Sequence, residues 1–269
     1  MAVEFSASTG ALYPGLPLDL ACARAAEDGF TAVEFWSVAP ADVGPVEDML
    51  RALGLTVTSV NAGTGNGPEA FGLLGIPTAV QEWRRAFVEG LDVARRLRSR
   101  AINLLVGGRV AASTRAEQLD CVRRNLDWCL PHLDADDPVL LVEPLNAADR
   151  RSPLVRCVSD AVAVLDSVGR PPQLGILFDA YHLHQEEPDL HEAWDQARPH
   201  VRHVQVADHP GRGEPGTGTL PIAPFLAHVV ASGYDGWVGC EFSATSPSVV
   251  ASSRAALVGL LLPAVGVAT

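Results

Sequence analysis

The chain has 269 residues, 48% of them apolar, with a formal charge of −12 and a pI near 5.0. It can bury a large core, and it is too acidic to be read as a nucleic-acid binder, because a phosphate backbone needs a basic surface. All 20 basic residues are arginine, which excludes Schiff-base lysine chemistry, a pyridoxal phosphate lysine and a Walker-type phosphate lysine together.

Short apolar runs alternate with longer amphipathic ones eight times. A strand at 2–6 leads to a helix near 18–28 that stops at Gly29, and a strand at 32–35 to a helix at 46–53 closed by Gly54. The third strand, 56–60, is followed by a long glycine-rich connection, 61–75, with the length of a lid, and then a helix near 78–98. Strands at 101–106, 139–143 and 174–178 precede helices near 114–133, 159–168 and 190–197. The last two strands, 201–207 and 237–240, precede helices near 222–232 and 247–262. The start enters a strand pattern without a basic segment, so no signal peptide is expected. No run reaches the roughly 20 apolar residues of a membrane span. Five cysteines, an odd number without metal spacing, suggest reduced thiols and a cytoplasmic protein away from membranes.

Eight strand-then-helix units with nearly continuous apolar strands point to an α/β fold, a single-domain (β/α)8 TIM barrel over 1–269. A doubly wound sheet is the alternative, but no Gly-x-Gly-x-x-Gly follows the first strand. The glycines at 211, 213, 216 and 218 leave a phosphate grip open as a minor reading.

The stretch His203 to Gly218 sets polar groups on a buried strand and then a charged glycine-rich loop, which reads as one wall of an active site. Glu143, Asp179 and Glu241 end strands five, six and eight, and Gln205 lies in strand seven. In a barrel all four meet at the carboxyl-terminal mouth. Three converging carboxylates repel one another unless a cation sits between them, and an all-oxygen donor set suits Mg²⁺ or Mn²⁺ better than zinc. An acid cluster neutralised by arginine is the competing reading. Trp36 is either a wall of the pocket or core packing.

Val-Glu-Pro-Leu-Asn at 142–146, Phe-Asp-Ala-Tyr-His at 178–182, the whole of 203–218 and Gly-Trp-Val-Gly-Cys-Glu at 236–241 resemble the hydroxypyruvate isomerase family of xylose-isomerase-like barrels. The resemblance implies Glu143 and Glu241 as the proton-transfer pair and also as metal ligands, with Asp179 and Gln205 completing the coordination. It implies His182 on a substrate oxygen. Arg212, with its fork of donors, looks like an anchor for a substrate carboxylate or hydroxyl, oriented by Glu214.

This chain departs from the family pattern in having Phe242, Ser243 and Ala244 where a lysine is common, and Val60 and Asn61 where a histidine is common. It also lacks the usual Pro-Gly after Asn146. Arg150 or Arg151 stands ready to replace the missing cation. The expected function is isomerisation of hydroxypyruvate to tartronate semialdehyde. Its rivals are a 2-oxo-tetronate or ketose isomerase, a ketose 3-epimerase and a relative with a changed task. The expected partner is a small polar hydroxy-keto acid or sugar. The endonuclease branch of the same barrels is disfavoured by charge and ligand type. The sequence leaves room for a homo-oligomer without specifying one.

Overall fold

A computed structural model of the chain describes residues 3–64, 71–150 and 152–261. Eight strands, β1 (Glu4–Ser8), β2 (Ala32–Phe35), β3 (Thr56–Ala62), β4 (Ala101–Leu104), β5 (Val139–Val142), β6 (Leu174–Asp179), β7 (Val201–Val206) and β8 (Trp237–Cys240), pair in chain order. All pairs are parallel, and β1 against β8 closes the barrel. The expected TIM barrel is thus the observed fold.

Alternation along each strand sorts side chains into two environments. Outward residues such as Ile102, Val142, Phe178 and Val204 are fully buried beneath the helices. There Phe178 stacks on Phe225 at 5.5 Å and meets the edge of Trp194 at 5.3 Å. Each such side chain contributes roughly 1.5–3 kcal/mol of transfer free energy. Inward residues Ala101, Leu141 and Leu177 form a separate small apolar cluster inside the barrel. Elsewhere the interior is polar, with Ser6, Glu34, Ser59, Asn103 and His203 each no more than 3% exposed.

Element ends shift by a few residues from the sequence reading, and a short helix, Thr9–Leu12, was not expected; two further differences are explained by local contacts. The first strand runs Glu4–Ser8 rather than 2–6, because backbone pairing to β2 at Ser8 carries it past the point where apolar character fades. A one-turn helix, Ala180–Leu183, follows β6 without a periodic signal. It is nucleated by Asp179, whose Oδ1 accepts from the Tyr181 main-chain N–H at 2.9 Å. That turn carries His182 back over the mouth. The connection read as a lid lies partly outside the described residues. Its flanks, Thr64 and Phe71, line the cavity described next.

Candidate active site

Glu143 and Glu241 each follow the last residue of their strand, Asp179 closes β6, and Gln205 is its register partner on β7. All four are buried, at 6% exposure or less. Glu143, Asp179 and His182 offer ligand atoms within 4.8 Å of one another. Arg212 joins Glu241 to them, its Nη2 donating to Asp179 Oδ2 at 2.8 Å and lying 3.3 Å from Glu241 Oε2. Glu143, His182, Arg212 and Glu241 line a cavity of about 260 Å³ together with Trp36, Asn61, Phe71 and Arg150.

Each carboxylate is oriented by a specific donor. Asn103 Nδ2 donates to Glu143 Oε2 at 2.7 Å, and Trp36 Nε1 to Glu241 Oε1 at 2.5 Å. Gln205 Nε2 donates to Glu34 Oε1 at 3.0 Å, while Gln205 Oε1 is buried without a hydrogen-bond partner among the described residues. The main-chain N–H and Nδ2 of Asn146 both face His182 Nδ1, at 3.3 and 2.7 Å, which leaves the ring proton on Nε2. Nε2 then lies 3.6 Å from Asp179 and 3.9 Å from Glu143, with Arg212 Nη2, a second donor, 3.2 Å away.

Three carboxylates face one guanidinium, and the excess negative charge falls on protons. Burial, followed by the charges of Glu241 and Asp179, raises Glu143 well above the usual carboxylate range. Burial also raises Glu241, with Arg212 opposing and Asp179 and Glu34 reinforcing the shift. Burial lowers His182 to about 4, so the ring is neutral at physiological pH. Burial acts against the charge on Arg212, but Glu241, Asp179 and Glu143 together hold it protonated above its ordinary range. Arg212 adopts positive φ, 58°, a strained backbone of the kind that clusters at functional sites.

The structure therefore gathers Glu143, His182, Arg212 and Glu241 around one cavity, bonds Asp179 to Arg212 and sets Gln205 beside Asp179. It also realises part of the competing reading, since Arg212 does neutralise the cluster. One expectation is corrected. Glu214 does not orient Arg212; it accepts from the main-chain N–H and hydroxyl of Thr245 at 2.7 and 2.6 Å, tying the β7 and β8 loops together. Of the two roles offered for Trp36, the wall holds: it is 45% exposed and bonded to Glu241. Asn103 and Glu34 were missed. Each sits at an inward position of a buried strand, where a polar residue is itself a signal. Arg151 lies outside the described residues.

A closed parallel barrel with carboxylates converging at the carboxyl ends of its strands is the architecture of a TIM-barrel enzyme. Residues 22–258 match the family described as xylose isomerase-like TIM barrel. The chain is 31% identical over 242 residues to hydroxypyruvate isomerase of Escherichia coli K12, covering 89% of this chain and 93% of that one. It is 31% identical over 222 residues to 2-oxo-tetronate isomerase of Cupriavidus necator, covering 82% and 85%. A crystal structure titled AP endonuclease, family 2, from Brucella melitensis aligns with a TM-score of 0.87 at 26% identity, over 96% of this chain and 99% of the other. The chain belongs to the hydroxypyruvate isomerase family of the xylose isomerase-like barrels.

Proposed function

We propose that the chain is an isomerase that interconverts a short α-hydroxy ketone and an α-hydroxy aldehyde through an enediolate, with hydroxypyruvate and tartronate semialdehyde as the first pair to test. The observation that carries this is the pair of buried glutamates, Glu143 and Glu241, each with raised proton affinity, that line one small cavity. Moving a hydrogen between adjacent carbons needs a base at one and an acid at the other, and efficiency is highest when both titrate near the working pH. One glutamate, as the carboxylate, takes the proton from one carbon, and the other, protonated, gives its own solvent-derived proton to the neighbouring carbon. His182 Nε2–H and the Arg212 guanidinium, two donors side by side, suit a substrate oxygen that gains charge in the transition state. A cavity of about 260 Å³ fits a three- or four-carbon acid.

The donor set also fits a divalent cation. Among the described residues, Gln205 Oε1 is a buried acceptor without a donor, and three carboxylates are balanced by the one guanidinium of Arg212. Glu143, Asp179, Gln205 and Glu241 would hold Mg²⁺ or Mn²⁺, which when bound supplies Lewis-acid stabilisation to the developing oxyanion. The five cysteines are free and four of them buried, which fits a reducing, cytoplasmic setting.

Incubation with hydroxypyruvate in deuterium oxide tests the reading. Isomerisation places deuterium on the carbon that becomes or ceases to be the carbonyl, whereas a ketose 3-epimerase labels the carbon whose configuration inverts. The Cupriavidus relative makes a 2-oxo-tetronate the second substrate to try. No label and no turnover across short keto acids and ketoses would remove the proposal.

A further inference from the structure

Below the mouth, Glu34 reaches across the barrel from β2 to β7. It is 2% exposed, and its carboxylate takes donors from three residues: His203 Nε2 at 2.6 Å, Gln205 Nε2 at 3.0 Å and Ser59 Oγ at 3.3 Å. The passage is opened by a missing side chain. Gly239 on β8 is in register with Gln205, and a Cβ built there would lie 2.4 Å from Glu34 Oε1 and 2.8 Å from its carboxyl carbon. A side chain at 239 would force the Glu34 carboxylate to shift from this position.

A carboxylate accepts and does not donate, so it imposes polarity on an amide packed against it. Of the two ends of the Gln205 amide, only the NH₂ can face Glu34, and the oxygen is left without a donor among the described residues. We propose that Glu34, supported by His203 and Ser59, is a positioning residue that fixes the Gln205 amide with its oxygen free for a divalent cation. The proposal rests on the metal reading above and extends it to a residue that touches neither cavity nor substrate. Outer partners of this kind typically contribute 10–100-fold to metal affinity.

The test is Mn²⁺ binding by the chelator-treated full-length protein, measured by calorimetry and electron paramagnetic resonance, with thermal unfolding as a check on the fold. Glu34→Gln presents an amide that no longer dictates which end of Gln205 faces it, and about tenfold weaker Mn²⁺ binding or more is expected. Glu34→Asp keeps the charge but withdraws it by one methylene. It is expected to weaken binding similarly, and it serves if Glu34→Gln does not fold. In a Gln205→Ala background, either change is expected to cost little further affinity, because Glu34 acts through that amide. Parental binding with affinity within twofold in folded Glu34 variants would overturn the positioning role alone, as would losses that simply add to that of Gln205→Ala. Absence of Mn²⁺ binding by the parent would overturn the metal reading, and this proposal with it.

Discussion

The two sides of the barrel interior are built on different principles. Between β4 and β6, Ala101, Leu141 and Leu177 pack together inside the barrel as an apolar floor, with Asn103, the register partner of Leu141, the polar exception that reaches up to Glu143. From β7 round to β3 the corresponding space holds His203, Glu34 and Ser59, a polar network in which Glu34 is the shared acceptor. An apolar floor tolerates any filling of the right volume, whereas a buried carboxylate requires every neighbour to be a donor. The catalytic candidates sit on both: Glu143 and Asp179 above the floor, Gln205 and Glu241 above the network. The floor thus supplies stability beneath one set of groups and the network supplies orientation beneath the other.

This difference can be broken in graded steps. The largest effect falls on the groups above both halves. Glu143→Gln and Glu241→Gln should each lower kcat for isomerisation by about 10²–10⁴-fold while preserving the fold, measured by steady-state turnover and by loss of solvent deuterium exchange. Full turnover in the double variant would leave the proton-transfer pair without a role. On the floor, Leu177→Ala should cost about 2–5 kcal/mol of stability in urea unfolding, with Mn²⁺ affinity of the folded protein unchanged. A change in affinity as large as that expected for Glu34→Gln would erase the contrast between the halves.

Charge gives a third, smaller separation. Glu143 is pushed up to about 8 from 4.5 by burial and its acidic neighbours, so the folded protein keeps a proton that the unfolded chain gives up. Its stabilising contribution is complete below pH 4.5 and is lost as pH rises through 8. His182, lowered to about 4 from 6.5, acts in the opposite sense, its contribution being lost as pH falls from 6.5 towards 4. In chelator-treated protein the unfolding free energy of the parent minus that of Glu143→Gln should therefore decline from pH 4.5 to 8. A flat difference would place the excess charge elsewhere.

The smallest effect is expected at the rim. Arg150 lines the cavity with its guanidinium over the Phe71 ring at 4.2 Å, a cation at the entrance. Arg150→Met should raise KM for an anionic keto acid roughly tenfold with little change in kcat, in keeping with the loss of one charge-assisted contact. The KM of a neutral ketose should be unaffected. Equal effects on both substrates would deny Arg150 a part in recognising the acid group.

Much of this was legible in the chain. Eight alternating units follow from apolar periodicity, and Glu143, Asp179, Gln205 and Glu241 are marked by being polar at the ends of apolar strands or inside one. Glu34 and Asn103 carry the same mark but lie on early strands, where nothing local says what they face. Glu34 meets His203, 169 residues away, and Asn103 meets Glu143, 40 residues away. Glu214 misled because nearness in sequence to Arg212 suggested a pair, while the loop's turn sends its carboxylate to Thr245.

The sequence by itself determined the barrel and the kinds of group that crowd its mouth, because hydrophobic period and residue chemistry are properties of short stretches. Which donor meets which acceptor was decided only by closure of β1 on β8 and by the gap at Gly239, which together bring β2 within reach of β7. Those are distances between strands remote in the chain, and a hydrogen bond depends on distance and direction, which no local pattern encodes.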